Sequence, residues 1–116
     1  MRGDRVKITT GTMYEDRPEA LIFVYGVQLD PAGAPVRAHD GSVQIQSMGG
    51  VKNGSTGVVM GPPERAHRSQ LRDHDTPPSL GTNDFVEMIP VMLDYYQQLG
   101  WFPSNNVRIM AGGVVQ

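Results

Sequence analysis

The chain has 116 residues, 39% of them apolar, no cysteine and a formal net charge of −2. A length of this order makes one domain that can bury its own core. The missing cysteine excludes disulfides, thiolate zinc sites, iron–sulfur clusters and cysteine nucleophiles. With no basic stripe, a duplex-binding role driven by phosphate contacts is not expected, and no direct nucleic-acid partner is assigned.

Fourteen glycines and nine prolines, together about a fifth of the chain, point to many turns and short strands rather than a helical bundle. Lys7 and Lys52 are the only lysines among ten basic residues; the rest are arginine. Arginine suits bidentate pairs at protein interfaces, a small pointer towards assembly. The opening "MRGDRVKITT" carries no apolar stretch of signal-peptide type. No apolar run approaches the ~18–20 residues of a membrane helix. The expectation is a soluble chain, cytoplasmic or part of a particle, with no signal peptide and no membrane partner.

The elements follow in chain order. "GDRVKITTG", Gly3 to Gly11, alternates Val6 and Ile8 with polar neighbours and reads as a half-buried strand. "ALIFVYGVQLD", Ala20 to Asp30, is unbroken in its LIFVY run and reads as a strand buried on both faces. Gly26 within it marks a bulge or a close backbone approach. "DPAGAP" is a turn, and Asp40-Gly41 makes a second one. "SVQIQSM" alternates again, with Val43 and Ile45 on one side. "GGVKNGSTG" places Asn53-Gly54 where a hairpin turn belongs, and "GVVMG" is a short strand ended by Pro62 and Pro63.

Beyond that point the pattern changes. Residues 63–83 read as a polar, proline-flanked connector. Asp84 to Leu99 reads as a helix: Asp84 and Glu87 have capping-box spacing, and Phe85, Met88, Ile89, Met92, Tyr96 and Leu99 fall on one stripe. Gly100 stands where a helix-ending glycine belongs, although Pro90 inside the stripe implies a kink or a late start. "VRIM" reads as a last short strand. The expected architecture is a single α+β domain over 1–116. A small antiparallel sheet or partly open barrel (4–62) packs against one C-terminal helix within 84–116, and 63–83 connects them.

Four groups carry possible chemistry. His67, Asp73, His74 and Asp75 are the right types for a metal site or a general acid–base pair. Their spacing matches no standard metal motif, and a solvated connector with Arg–Asp pairs accounts for them as well. His39-Asp40 could feed a relay, but no G-x-S-x-G elbow presents a serine, and Asp40-Gly41 is already explained as a turn. "GGVKNGSTG" has glycines and Lys52 but lacks phosphate-loop order, so it reads as a hairpin loop. Tyr95, Tyr96, Trp101, Phe102 and Tyr25 are aromatic groups that serve either as core or as interface anchors.

These features favour a non-enzymatic structural or interaction subunit of a multi-chain assembly, such as a virion or enzyme-complex component. Its partners would be other protein chains, including copies of itself, and no cofactor is assigned. The alternative is a small metal-assisted hydrolase or accessory enzyme domain using His67, Asp73, His74 and Asp75.

Overall fold

A computed structural model describes residues 3–9, 21–71 and 85–110. The described residues form eight strands: β1 Arg5–Ile8, β2 Leu21–Val27, β3 Ile45–Lys52, β4 Thr56–Val59, β5 Glu64–His67, β6 Phe85–Leu93, β7 Leu99–Pro103 and β8 Val107–Ile109. Their order across one sheet is β3-β2-β7-β6-β4-β1-β8, and β5 pairs beside β6. Every ladder between these strands is antiparallel. Among the described residues, helical geometry is confined to two single 3-10 turns, Arg68–Gln70 and Ser104–Asn106.

This overturns the expected α+β arrangement. The span read as a helix from Asp84 to Leu99 instead supplies β6, a turn and the first residue of β7; Asp84 itself lies outside the described residues. A helix would need Pro90 in its interior, at about 3 kcal/mol. Val86, Ile89 and Val91 are β-branched and favour an extended chain. The apolar stripe was also the wrong period. Val86, Met88, Ile89, Val91 and Leu93 are buried, whereas Tyr96 and Leu99 are exposed. A nearly continuous apolar run fits a strand covered on both faces.

Pro90 is accommodated by the topology. The first half of β6 pairs with β5 and its second half with β4, along the same edge. Pro90 falls between them, and its carbonyl accepts the Met60 amide at 2.9 Å. A residue's nitrogen and carbonyl face the same side of a strand. The donor that proline lacks therefore faces the gap where β4 hands over to β5, and no ladder bond is lost there.

Gly100 is not a helix-ending glycine either. It lies in β7 opposite Val91, and a β-carbon there would stand 2.7 Å from Val24 Cγ1. At Gly26 no backbone comes close; the Met48 side chain lies where a β-carbon would go. Met48 is the extra residue in the β2–β3 register shift between Val24 and Tyr25. Asn53–Gly54 does form a turn, but the strands it joins are not ladder partners: β3 pairs with β2, and β4 with β1 and β6.

Strands β2, β6 and β7 send alternate residues into two cores. Ile22, Val24, Ile89, Val91, Leu93 and Phe102 pack with Val6, Ile8, Val51 and Val59. Tyr25, Val86 and Met88 face the other way and pack with Val43, Ile45, Ala66 and Leu71, with Phe23, Val27 and Trp101 at the margin. That second core lies inside a closed circuit. β3 pairs with β2, β2 with β7, β7 with β6 and β6 with β5. Val43, just ahead of β3, returns to β5 through a parallel bridge to Ala66. Gln70 seals this seam, because its side chain accepts the Ile45 amide at 2.9 Å and donates to the Val43 carbonyl at 3.1 Å. β5 lies within the span read as a connector; its sole inward residue is Ala66, so no apolar pattern announced it.

Candidate functional site

The turn at Asp40–Gly41 caps a short hairpin running from Val36 to Val43. Gly41 takes φ +88, a conformation few side chains tolerate, and Ala38 N–H bonds the Ser42 carbonyl at 2.8 Å. Asp40 Oδ1 accepts the Ser42 amide at 3.0 Å, as Asx turns do, and the Ser42 hydroxyl at 2.6 Å. Asp40 Oδ2 lies 2.8 Å from His67 Nε2 on β5. The two Ser42 bonds hold the Asp40 carboxyl down to about 2, and the contact with His67 adds to this.

Flanking groups tie the same hairpin to β5. Arg65 donates to the Asp40 carbonyl at 2.7 Å and rests its guanidinium 4.4 Å from the centre of the Phe85 ring. The His67 ring stacks against the same phenyl at 4.7 Å. Arg37 grips Glu64 with two bonds of 3.0 Å and donates to the Gly41 carbonyl at 2.9 Å.

Serine, aspartate and histidine are thus assembled, but in the wrong order for acyl transfer. A hydrolytic triad places histidine between serine and aspartate, so that the imidazole takes the hydroxyl proton. Here aspartate stands in the middle, the Ser42 hydroxyl donates to it, and Ser42 is fully buried. Such an arrangement can pin a loop. It does not activate a nucleophile.

Of the residues singled out from the sequence, His67 joins this cluster through Asp40 rather than through a metal set. Asp73, His74 and Asp75 lie outside the described residues. Among the described residues, no group of three metal-ligating side chains comes together. His39 is exposed, and its neighbour Asp40 takes the distant His67 instead. Ser42, Arg37 and Glu64 carry no signal of this role in the sequence, and Phe85 reads there only as part of a helical stripe. The only local cue was the Asp-Gly turn, which foretells an Asx bond but not a partner 27 residues away.

The aromatic candidates separate cleanly. Tyr25 and Phe102 are fully buried, one in each core, and Trp101 packs at the margin of the second. Tyr95 is 88% exposed and Tyr96 39%, on the turn between β6 and β7, with their rings edge to face at 5.1 Å. The turn beneath them is held firmly. Asp94 accepts two bonds from Arg5 at 3.1 and 2.8 Å and one from the Thr56 hydroxyl at 2.8 Å. These bonds, Arg5 first, lower the Asp94 carboxyl below its ordinary range. Leu93 and Gln98, and Gln97 and Leu93, close the turn at 2.9 Å each, with Gln97 at φ +50.

No family model, curated protein or solved structure matches the chain. No described helix is long and apolar enough to cross a membrane.

Proposed function

We propose that this chain is a non-enzymatic structural subunit that assembles with further copies of itself through the tyrosine-bearing turn. The observation that carries this reading is the exposed Tyr95–Tyr96 pair on a turn pinned by Arg5, Asp94 and Thr56. Tyrosine supplies large contact area at low entropic cost, and an anchor held in place before binding loses little on association. Leu99, 40% exposed, follows on the same hairpin. Both outer strands of the sheet, β3 and β8, have a ladder partner on one side only among the described residues. Open edges of this kind accept a further strand.

A hydrolase reading built on His67, Asp73, His74 and Asp75 has no comparable support, since the only described member has its Nε2 on Asp40. Size-exclusion chromatography with light scattering tests the proposal. The expected result is an oligomer whose dissociation constant rises about tenfold or more in a Tyr95→Ala/Tyr96→Ala double variant, in line with tyrosine hot spots. A chain that stays monomeric at high micromolar concentration would overturn it, as would an oligomer indifferent to the double substitution.

A further inference from the structure

We infer that the hairpin Val36–Val43 is a lid over the second core, latched to β5 by side chains and able to open without unfolding the sheet. The circuit around that core closes through several ladders and one seam of a different kind. β2 and β3 pair at seven positions, β6 and β7 at five and β5 and β6 at four, while β2 and β7 pair at Tyr25–Trp101 alone. The lid reaches β5 through one isolated parallel bridge, Val43–Ala66, in which the Val43 amide donates to the Arg65 carbonyl at 2.8 Å.

The rest of the grip is made by side chains. Arg37 holds Glu64, Asp40 meets His67, Arg65 donates to the Asp40 carbonyl and Gln70 to the Val43 carbonyl. Most of these groups stand partly in water, with Arg37 and Glu64 side chains 43% and 26% exposed and His67 and Asp40 36% and 37%. Ion pairs so placed are individually weak and screened by salt.

The base of the lid is built differently. Gln28 N–H bonds the Gln44 carbonyl, Gln44 N–H bonds Val36, and Val36 N–H bonds Gln28, a closed triangle of backbone bonds between 2.9 and 3.0 Å. Motion at the seam therefore needs no loss at the base. Local opening is favoured where few backbone bonds hold a segment. Opening would uncover Val43 and Ala66, both fully buried, and the edge of β5.

Native-state amide exchange on the whole chain, followed by NMR, tests this. The Val43 amide is expected to exchange at least about tenfold faster than those of Ile89 and Val91 in the β6–β7 ladder, as local openings do. The Val36 and Gln44 amides of the base should stay protected relative to Val43. Molar sodium chloride and, separately, Glu64→Gln should each widen the gap between Val43 and Val91. The salt experiment needs no substitution, so it stands even if the variant folds poorly. Exchange of Val43 in step with Ile89 and Val91 under both conditions would overturn the lid, because only global unfolding would then release it. An equal acceleration of all these amides would do the same.

Discussion

Gly57 offers the sharpest test of the strand packing. It lies in β4, between Val6 of β1 and Leu93 of β6. A β-carbon added there would stand 2.5 Å from the Met92 carbonyl oxygen and 2.6 Å from Val91 Cγ1. Neither neighbour yields easily: one is ladder backbone, the other a β-branched side chain in the core. Overpacking of this kind costs about 1–3 kcal/mol, and the backbone contact argues for the upper half of that range. Against this stands the gain from replacing glycine, about 0.4–1 kcal/mol through the unfolded chain. Gly57→Ala should therefore lose about 2 kcal/mol net, which lowers the melting temperature by roughly 6–10 °C in a domain of this size. Gly50→Ala is the matched control, since its β-carbon would meet nothing closer than 3.5 Å. It should be neutral or gain up to about 0.5 kcal/mol. Urea unfolding of both variants gives the comparison, with unchanged slopes required for a clean reading. If Gly57→Ala matches the wild type or exceeds it, the close passage of β4 against β6 is wrong.

Three further outcomes follow from named contacts. Asp40 has a carboxyl held near 2, below its ordinary 3.8. A depressed folded value means its contribution is complete above the unfolded value and is lost as pH falls towards the folded one. The urea midpoint should therefore fall between about pH 4 and pH 2, and Asp40→Asn should flatten that part of the profile. Pro90→Ala should change stability by less than about 1 kcal/mol, because the missing donor faces the β4–β5 gap; a helical Pro90 would instead give a gain near 3 kcal/mol. Gln70→Ala leaves the Ile45 amide and the Val43 carbonyl without their side-chain partner. It should cost about 1–3 kcal/mol by thermal or urea unfolding, and a neutral result would mean that the seam does not rely on this side chain.

Several features were legible because they are local. Alternation in "RVKI" marked β1, and the LIFVY run foretold a strand flanked by apolar groups on both sides, as Ile22 and Val24 in one core and Tyr25 in the other confirm. Val43 and Ile45 were placed on one side and do share a core. Turns at Asp40–Gly41 and Asn53–Gly54 announced themselves through residues that tolerate positive φ. The same local logic failed at 85–99, where Met88, Ile89 and Met92 satisfy helical spacing by accident of a dense apolar run. Proline was the clue that should have outweighed the stripe. The Asp40–His67–Ser42 cluster was hidden for a different reason, since no short-range rule links a turn to a strand 27 residues later.

What the amino-acid order determined alone was the location of turns, the absence of thiol chemistry and the presence of enough apolar residues for a core. Each depends on the chemistry of one residue or its immediate neighbours. Strand partnership was decided only in three dimensions. β3 and β4 adjoin in the chain yet sit apart in the sheet, and "ERAH" becomes a strand because β6 and Val43 offer it hydrogen bonds on either side. A β ladder takes its energy from whichever chain lies alongside, so its membership is a property of the assembled sheet rather than of the segment.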